Sequence, residues 1–272
     1  MMTIPFAQID AFASQAFEGN QACVMPLEAY LPDEMLQKIA AENNVAETAF
    51  IVPAGAGAWE LRWFTPAVEV PLCGHATLAS GHYLYNHTNF DGDEIRFKTR
   101  LSGDLLVSRL DDGRLEMDFP AHRVTDVAPD AEIDAALGKS PIRCFDGPYY
   151  VALYETAEDI RTLDPDLDRL KTLGSSHADW GKGNFGCLAL DGDGVEVTSR
   201  FFAPGSGIPE DPATGSWHCM VAPLVEQLTG KEEAKCFQAY PGRGAFVETA
   251  LVGDRVKLRG QSVTVIEGQF KL

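Results

Sequence analysis

Short apolar runs, broken by glycine, proline and charged residues, fill most of the chain, and their alternation predicts strands. Phe6–Phe12 and Ala22–Met25 read as strands on either side of a Gly19-Asn20 turn. Ala46–Val52, Trp59–Phe64, Ile95–Thr99, Asp104–Leu110 and Arg114–Phe119 follow in the same style, with Asp112-Gly113 as a hairpin turn signal. Later strands are expected at Tyr149–Tyr154, Phe185–Leu190 and Val195–Phe202, and the tail to Leu272 is strand-rich. Helical spacing appears over Leu31–Glu42, where Leu36, Ile39 and Ala40 share a face and Asn43-Asn44 ends the run. Shorter helices are expected over Ala131–Leu137, stopped by Gly138, and over Asp166–Leu173. Two segments differ from the rest: Gly74–Tyr85 and Ser216–Leu228 are small or apolar on most sides, as a helix enclosed by other structure must be.

The elements recur in similar order in the two halves, which predicts an internal repeat. Displaced by 138 residues, RWFTPAVEVP (62–71) meets RFFAPGSGIP (200–209), matching Arg62 with Arg200, Phe64 with Phe202, Pro66 with Pro204 and Pro71 with Pro209. In each copy a loop of small residues follows and opens one of the two buried helices. The expectation is an α+β fold of two homologous lobes, each a curved, mainly antiparallel sheet wrapped around a central helix. The lobes are expected to span residues 1–122 and 123–272, with the join near Ala121–Val127.

Charge narrows the function. Lysine and arginine total 22 against 40 acidic residues, a net charge of −18 over 272 residues. Such a chain lacks the cations that neutralise a nucleic-acid backbone or a phospholipid surface, so neither is an expected partner. The 45 % hydrophobic content supports a real core and excludes general disorder. No run approaches the length of a membrane span, no leader is evident at the start, and no C-x-x-C occurs among the six cysteines. A cytoplasmic chain with reduced thiols is expected. Gly181, Gly183 and Gly186 match a dinucleotide fingerprint by letter, but a strand follows where a helix is required. Asp164, Asp166 and Asp168 alternate as in a calcium loop but lack its glycine and its closing glutamate, and read as a solvated helix start.

The two repeat loops carry the candidate chemistry. A helix N-terminus presents free N–H groups and partial positive charge, so it receives a carboxylate without any arginine. Gly74 and Gly215 would let a ligand approach the backbone closely, and a pseudo-twofold between the lobes would bring the two helix starts to one cleft. A small anionic organic substrate is the partner this implies. His75, Asp211 and Ser216 lie in these loops, although each alone reads equally well as an ordinary helix-start residue. By the 138-residue displacement, Asp211 falls opposite Cys73. Glu47 stands out because its strand neighbours on the same face are Ala49 and Ile51. Desolvation there would raise its pKa towards neutrality and suit it to general acid–base work. A hydrolase built on Cys73 and His75 is disfavoured, since loop neighbours rarely face each other and no third orienting group is evident.

These segments resemble the PhzF-like (phenazine-biosynthesis) isomerases of the diaminopimelate-epimerase-like fold. The resemblance rests on IDAF…FEGNQACVMPL (9–27), NNVAETAFIV (43–52), FTPAVEVPLCGHATLAS (64–80) and FFAPGSGIPEDPATGS (201–216). Gln21 and Ala46 depart from the residues usual in that pattern. The resemblance implies a cofactor-independent, metal-free isomerase acting on a small cyclic or unsaturated carboxylic acid, and a homodimer. It assigns Glu47 as the general acid/base and His75 and Asp211 as its catalytic partners. Gly74, Gly215 and Ser216 would hold the substrate carboxylate. Two alternatives stay open: a catalytically silent protein that keeps the cleft for a metabolite, and a racemase or epimerase using Cys73. Related racemases oppose two cysteines, and the second loop here has none.

Overall fold

A computed structural model describes residues 2–55, 57–175, 177, 181–190 and 196–272. The chain divides into two compact units, one formed by Met1–Phe119 with Arg259–Leu272 and the other by Pro120–Leu258. The first crossing lies beside the expected join. The last fourteen residues depart from the expected division into 1–122 and 123–272, because they return to the first unit. The reason is pairing: the final strand runs antiparallel along the whole length of the first, Thr3 opposite Lys271 and Ala11 opposite Ser262.

In the first unit the elements are β1 (Thr3–Ala11), β2 (Asn20–Pro26), α1 (Asp33–Asn43), β3 (Glu47–Pro53), β4 (Ala58–Phe64), β5 (Glu69–Val70), α2 (Gly74–His87), β6 (Glu94–Lys98), β7 (Asp104–Arg109) and β8 (Leu115–Pro120). In the second they are β9 (Thr125–Val127), α3 (Ala131–Leu137), β10 (Arg143–Asp146), β11 (Tyr150–Tyr154), α4 (Ala157–Arg161), α5 (Leu167–Leu170), β12 (Phe185–Ala189), β13 (Val197–Phe202), β14 (Glu210–Asp211), α6 (Gly215–Thr229), β15 (Glu233–Gln238), β16 (Ala245–Val252) and β17 (Arg255–Gly260). The closing strand, β18 (Ser262–Lys271), belongs to the first unit. The strand expected from Val195 begins at Val197, and Val195 itself lies outside the described residues.

The strand pairings within the two units follow one rule. Along β1-β2-β3-β4-β6-β7 the pairings run antiparallel, parallel, antiparallel, parallel, antiparallel. Along β10-β11-β12-β13-β15-β16 they run in the same sequence. The repeat is therefore topological as well as textual, and the fold is α+β with mainly antiparallel strand pairing. Helix α2 touches β1, β2, β3, β7 and β18, strands far apart in the sheet, so the sheet curls around it. That enclosure explains its small and apolar residues: His75 through Gly81 are all buried. The other sheet face is covered too. In the first unit, Leu36, Ile39 and Ala40 of α1 pack with Met25, Phe50 and Phe64. In the second, α3, α4 and α5 cover β11, β12 and β13, which are buried on every residue for that reason. Gly186 shows how tight this is, since a Cβ there would lie 2.1 Å from the Trp217 ring of α6.

Local signals explain the ends. Asn44 takes the left-handed conformation and stops α1, and Gly138 and Gly230 do the same for α3 and α6. Asp166 caps the short α5 by accepting from the Arg169 N–H at 3.1 Å, a helix start as expected and one turn shorter than the expected segment. Helix α4 is absent from the reading of the chain, although Thr156 and Asp159 form a reciprocal capping box that marks it. None of the six cysteines forms a disulfide. No helix among the described residues is long and apolar enough to cross a membrane.

Buried His218 and half-buried His82 set an acid limit on the fold. His218 of α6 is fully buried and donates from Nδ1 to the Thr214 carbonyl at 2.8 Å. Burial pulls its pKa down from 6.5 to about 4, and burial together with His87 and Arg109 does the same to His82. Unfolding returns both to ordinary values, so below about pH 6.5 the unfolded chain binds more protons. Their stabilising contribution is complete above that pH and is lost as pH falls towards 4. The expected result is a urea midpoint that declines as pH falls below 6.5. In His218→Asn that decline should be shallower. Parallel acid limbs for the two proteins would exclude His218 as a cause.

Candidate active site

The signature loop of each unit is tied down by the same ion pair. In the first unit, Arg62 on β4 grips Glu69 on β5 with two hydrogen bonds, Nε to Oε1 and Nη2 to Oε2, both 2.7 Å. In the second, Arg200 on β13 grips Glu210 on β14 through the same atoms at 2.8 and 2.7 Å. Each guanidinium also lies over a ring two residues on, Phe64 or Phe202. The fork geometry fixes the short strand that leads into the helix.

This correspondence corrects the alignment. Arg62 matches Arg200 at a displacement of 138 residues, but Glu69 matches Glu210 and Gly74 matches Gly215 at 141. The second copy accommodates three more residues in a 3-10 turn at Pro204–Ser206. Pro71 therefore corresponds to Pro212 and not to Pro209, and Cys73 to Thr214 and not to Asp211. His75 corresponds to Ser216. The helix starts agree: the N–H groups of Thr77 and His218 each bond the carbonyl of the residue before the helix, Cys73 or Thr214.

In the first unit, Glu47 and His75 meet. Glu47 is the first residue of β3, paired in parallel register with Ala22 on β2. Its Oε2 lies 2.9 Å from Nε2 of His75, the second residue of α2. The Glu47 side chain keeps 16 % of its surface exposed and His75 only 5 %. The carboxylate expected on an apolar face thus has a partner, which removes the cost of leaving it alone. On its other nitrogen, Nδ1, His75 meets Asn20 Nδ2 at 3.2 Å and Cys73 Sγ at 3.5 Å. Asn20 is placed by Gly19, whose φ of +61° and whose missing Cβ, 2.0 Å from the Ala11 carbonyl oxygen, admit no side chain.

The contact between Cys73 and His75 overturns the expectation that these neighbours would not face each other, and Glu47 is the orienting group the sequence did not reveal. The residue before a helix and the residue after its first can converge when the cap is extended, as Cys73 is with φ −145° and ψ 111°. The arrangement still does not make a ready nucleophile. Burial, and then the charge of Glu47, push the Cys73 thiol up to about 11, so it stays protonated at neutral pH. Burial alone would favour neutral His75, but Cys73 and Glu47 beside it outweigh that and raise its pKa well above 6.5. The result is a carboxylate–imidazole pair able to pass a proton between its two members. Glu47, Cys73 and His75 also hold the one group of potential metal ligands of this kind among the described residues, with ligand atoms all within 4.8 Å of one another.

In the second unit, Asp211, Thr214, Gly215 and Ser216 come together ahead of α6. Thr214 donates to Asp211 Oδ2 at 2.5 Å, and Ser216 Oγ lies 2.9 Å from Tyr149 Oη. Buried Gln238 locks the loop, accepting from the Thr214 N–H at 3.0 Å and donating to the Asp211 carbonyl at 2.6 Å. Asn20, Tyr149 and Gln238 are absent from the candidates read in the sequence. Gln238 had a signal, since it shares the inward face of β15 with Ala234 and Cys236. Asn20 reads only as a turn residue, and nothing in the pattern singles out Tyr149.

The family model described as "Phenazine biosynthesis-like protein" matches residues 9–268. The chain belongs to this family. Over full length in both chains, it is 41 % identical to a Pseudomonas aeruginosa protein named an uncharacterized isomerase. It is 36 % identical to the human phenazine biosynthesis-like domain-containing protein, covering 98 % of this chain and 99 % of that one. The crystal structure of a phenazine biosynthesis protein of the PhzF family from Enterococcus faecalis superposes with a TM-score of 0.93 at 33 % identity, covering both chains completely. Within this phenazine biosynthesis-like family member, the signature stretches are the two loops that precede α2 and α6.

Proposed function

We propose that this protein is a cofactor-independent isomerase that moves a proton within a small cyclic or unsaturated carboxylic acid. The observation that carries the reading is the 2.9 Å contact between Glu47 and His75 at the start of a buried helix. Glu47 takes the proton from one substrate carbon. The electron pair of that C–H bond shifts through the conjugated system, and Glu47, whose proton exchanges with solvent while it is held, delivers a proton to a different carbon. Nothing is oxidised or reduced, and Glu47 ends as it began. His75 holds the carboxylate in position and stabilises its charged form. Each unit supplies a helix start suited to a carboxylate, the Gly74 amide in the first and the Gly215 amide with the Ser216 hydroxyl in the second, where Asp211 is the acidic group assigned to substrate orientation. A two-thiol racemase is disfavoured because Thr214 occupies the position that corresponds to Cys73.

The test is isotope exchange. Candidate acids incubated with the protein in deuterated water should gain deuterium at carbon, read by NMR or mass spectrometry. An acid that binds but never exchanges would instead identify a silent binding protein. Ser216→Ala is expected to raise KM by about tenfold with kcat nearly unchanged, the mark of a lost binding contact. A fall in kcat at constant KM would move Ser216 into the chemical step.

A further inference from the structure

The cluster of Glu47, Cys73 and His75 has a chemistry that proton transfer does not use. One carboxylate oxygen, one thiol sulfur and one imidazole nitrogen converge within 4.8 Å, on a strand end and a helix start that are both built into the core. These are the three donor types that zinc takes, and three protein ligands with a fourth position open is the usual form of a reactive zinc site. The distances suit it. Metal–ligand bonds of about 2.0–2.3 Å at tetrahedral angles place ligand atoms roughly 3.4–3.6 Å apart. His75 Nε2 lies 2.9 Å from Glu47 Oε2 and 3.9 Å from Cys73 Sγ. These two distances differ from the tetrahedral values by about half an ångström; the carboxylate oxygen and the sulfur lie within 4.8 Å of each other, and Sγ, which is 3.5 Å from Nδ1, must turn towards Nε2, movements that side-chain torsions supply. Asn20 sits against the remaining nitrogen, Nδ1, at 3.2 Å, where turning its carboxamide presents an oxygen to the ring N–H. A partner of that kind orients a metal-binding histidine.

We propose that Glu47, Cys73 and His75 form an inhibitory site for a thiophilic divalent cation of the zinc class. Binding replaces the thiol proton: sulfur forms a bond to the cation and the proton leaves to solvent, with no change of oxidation state. The Glu47 carboxylate and the His75 nitrogen are then occupied by the cation and cannot exchange a proton with substrate. The inhibition rests on the isomerase reading, whereas cation binding does not.

The test is a cobalt and zinc titration of the metal-free full-length protein. One equivalent of cobalt should produce a thiolate-to-cobalt charge-transfer band in the near ultraviolet, and one equivalent of zinc should abolish it. Cys73→Ser should lose the band, and Glu47→Gln should weaken binding at least about tenfold, with circular dichroism showing both variants folded. A cobalt complex without that band, or Cys73→Ser binding cobalt as tightly as the wild type, would overturn the site. In the exchange assay, zinc should stop deuterium incorporation and a chelator should restore it. Zinc bound at one equivalent without slowing exchange, or exchange that requires zinc, would overturn the inhibitory role. If the metal-free protein exchanges no acid at all, the isomerase reading fails and the cobalt titration still decides the site.

Discussion

Glu47→Gln should lower turnover by about 10²–10⁴-fold while leaving substrate affinity nearly unchanged. Glutamine has the size of glutamate and can keep an oxygen beside His75 Nε2, where the Glu47 oxygen lies at 2.9 Å, so the position of the ring is kept. It cannot take a proton from carbon, because a carboxamide has no basicity near neutral pH. The loss therefore falls on kcat, since the groups assigned to the substrate carboxylate are elsewhere, at Gly74, Gly215 and Ser216. The fold should survive. His75 loses its anionic partner but can shed its own proton, so no uncompensated charge is trapped at the helix start. Steady-state kinetics and isotope exchange, run beside a thermal melt, separate these effects. Exchange at the wild-type rate in Glu47→Gln would send the search for the base to Cys73 or Asp211.

Arg200→Met is expected to cost about 3–5 kcal/mol of stability. Its guanidinium is 7 % exposed and Glu210 only 9 %, so the pair is cut off from water. Arg200 also donates to the Leu163 carbonyl at 2.6 Å, just past the end of α4. Methionine fills much of the space but abandons the Glu210 carboxylate and that carbonyl together. The corresponding change at Arg62 should cost less. Glu69 is 30 % and Asp33 63 % exposed, so water can replace the arginine there. Urea midpoints at constant m-value measure the difference, and the double variant Arg200→Met with Glu210→Leu should recover most of the loss. Equal midpoints for Arg200→Met and Arg62→Met would show that burial does not govern these pairs. Because Arg200 fixes β14, its loss should also loosen Asp211, the last residue of that strand.

The relation between chain and structure differs from one part of the site to another. Glu47 was legible because a carboxylate among Ala49, Phe50 and Ile51 breaks the local pattern. The two helix starts were legible because glycine and small residues precede segments too apolar to be exposed. The partner of Glu47 was not legible. His75 is 28 positions away, and their meeting depends on the parallel register of β2 with β3 and on where α2 begins. Asn20 was hidden for the same reason, as its role depends on a residue 55 positions later. The displacement of the second loop was misread because sequence matching assumes equal loop lengths, and three residues of 3-10 turn carry no periodic mark.

The features legible in the chain are local and periodic: most strands, the two enclosed helices, the stops at Asn44 and Gly138, and the recurrence of one topology in two halves. Alternation and helical spacing record which side of each element is buried, and burial is set by neighbours of any identity. Tertiary structure alone decided which residues meet. It returned 259–272 to the first unit through β18, seated Cys73 against His75, and placed Gln238 across Asp211 and Thr214. Such contacts depend on strand register, cap geometry and loop length. These act between positions distant in the chain, and hydrophobic periodicity, which reports only depth, does not encode them.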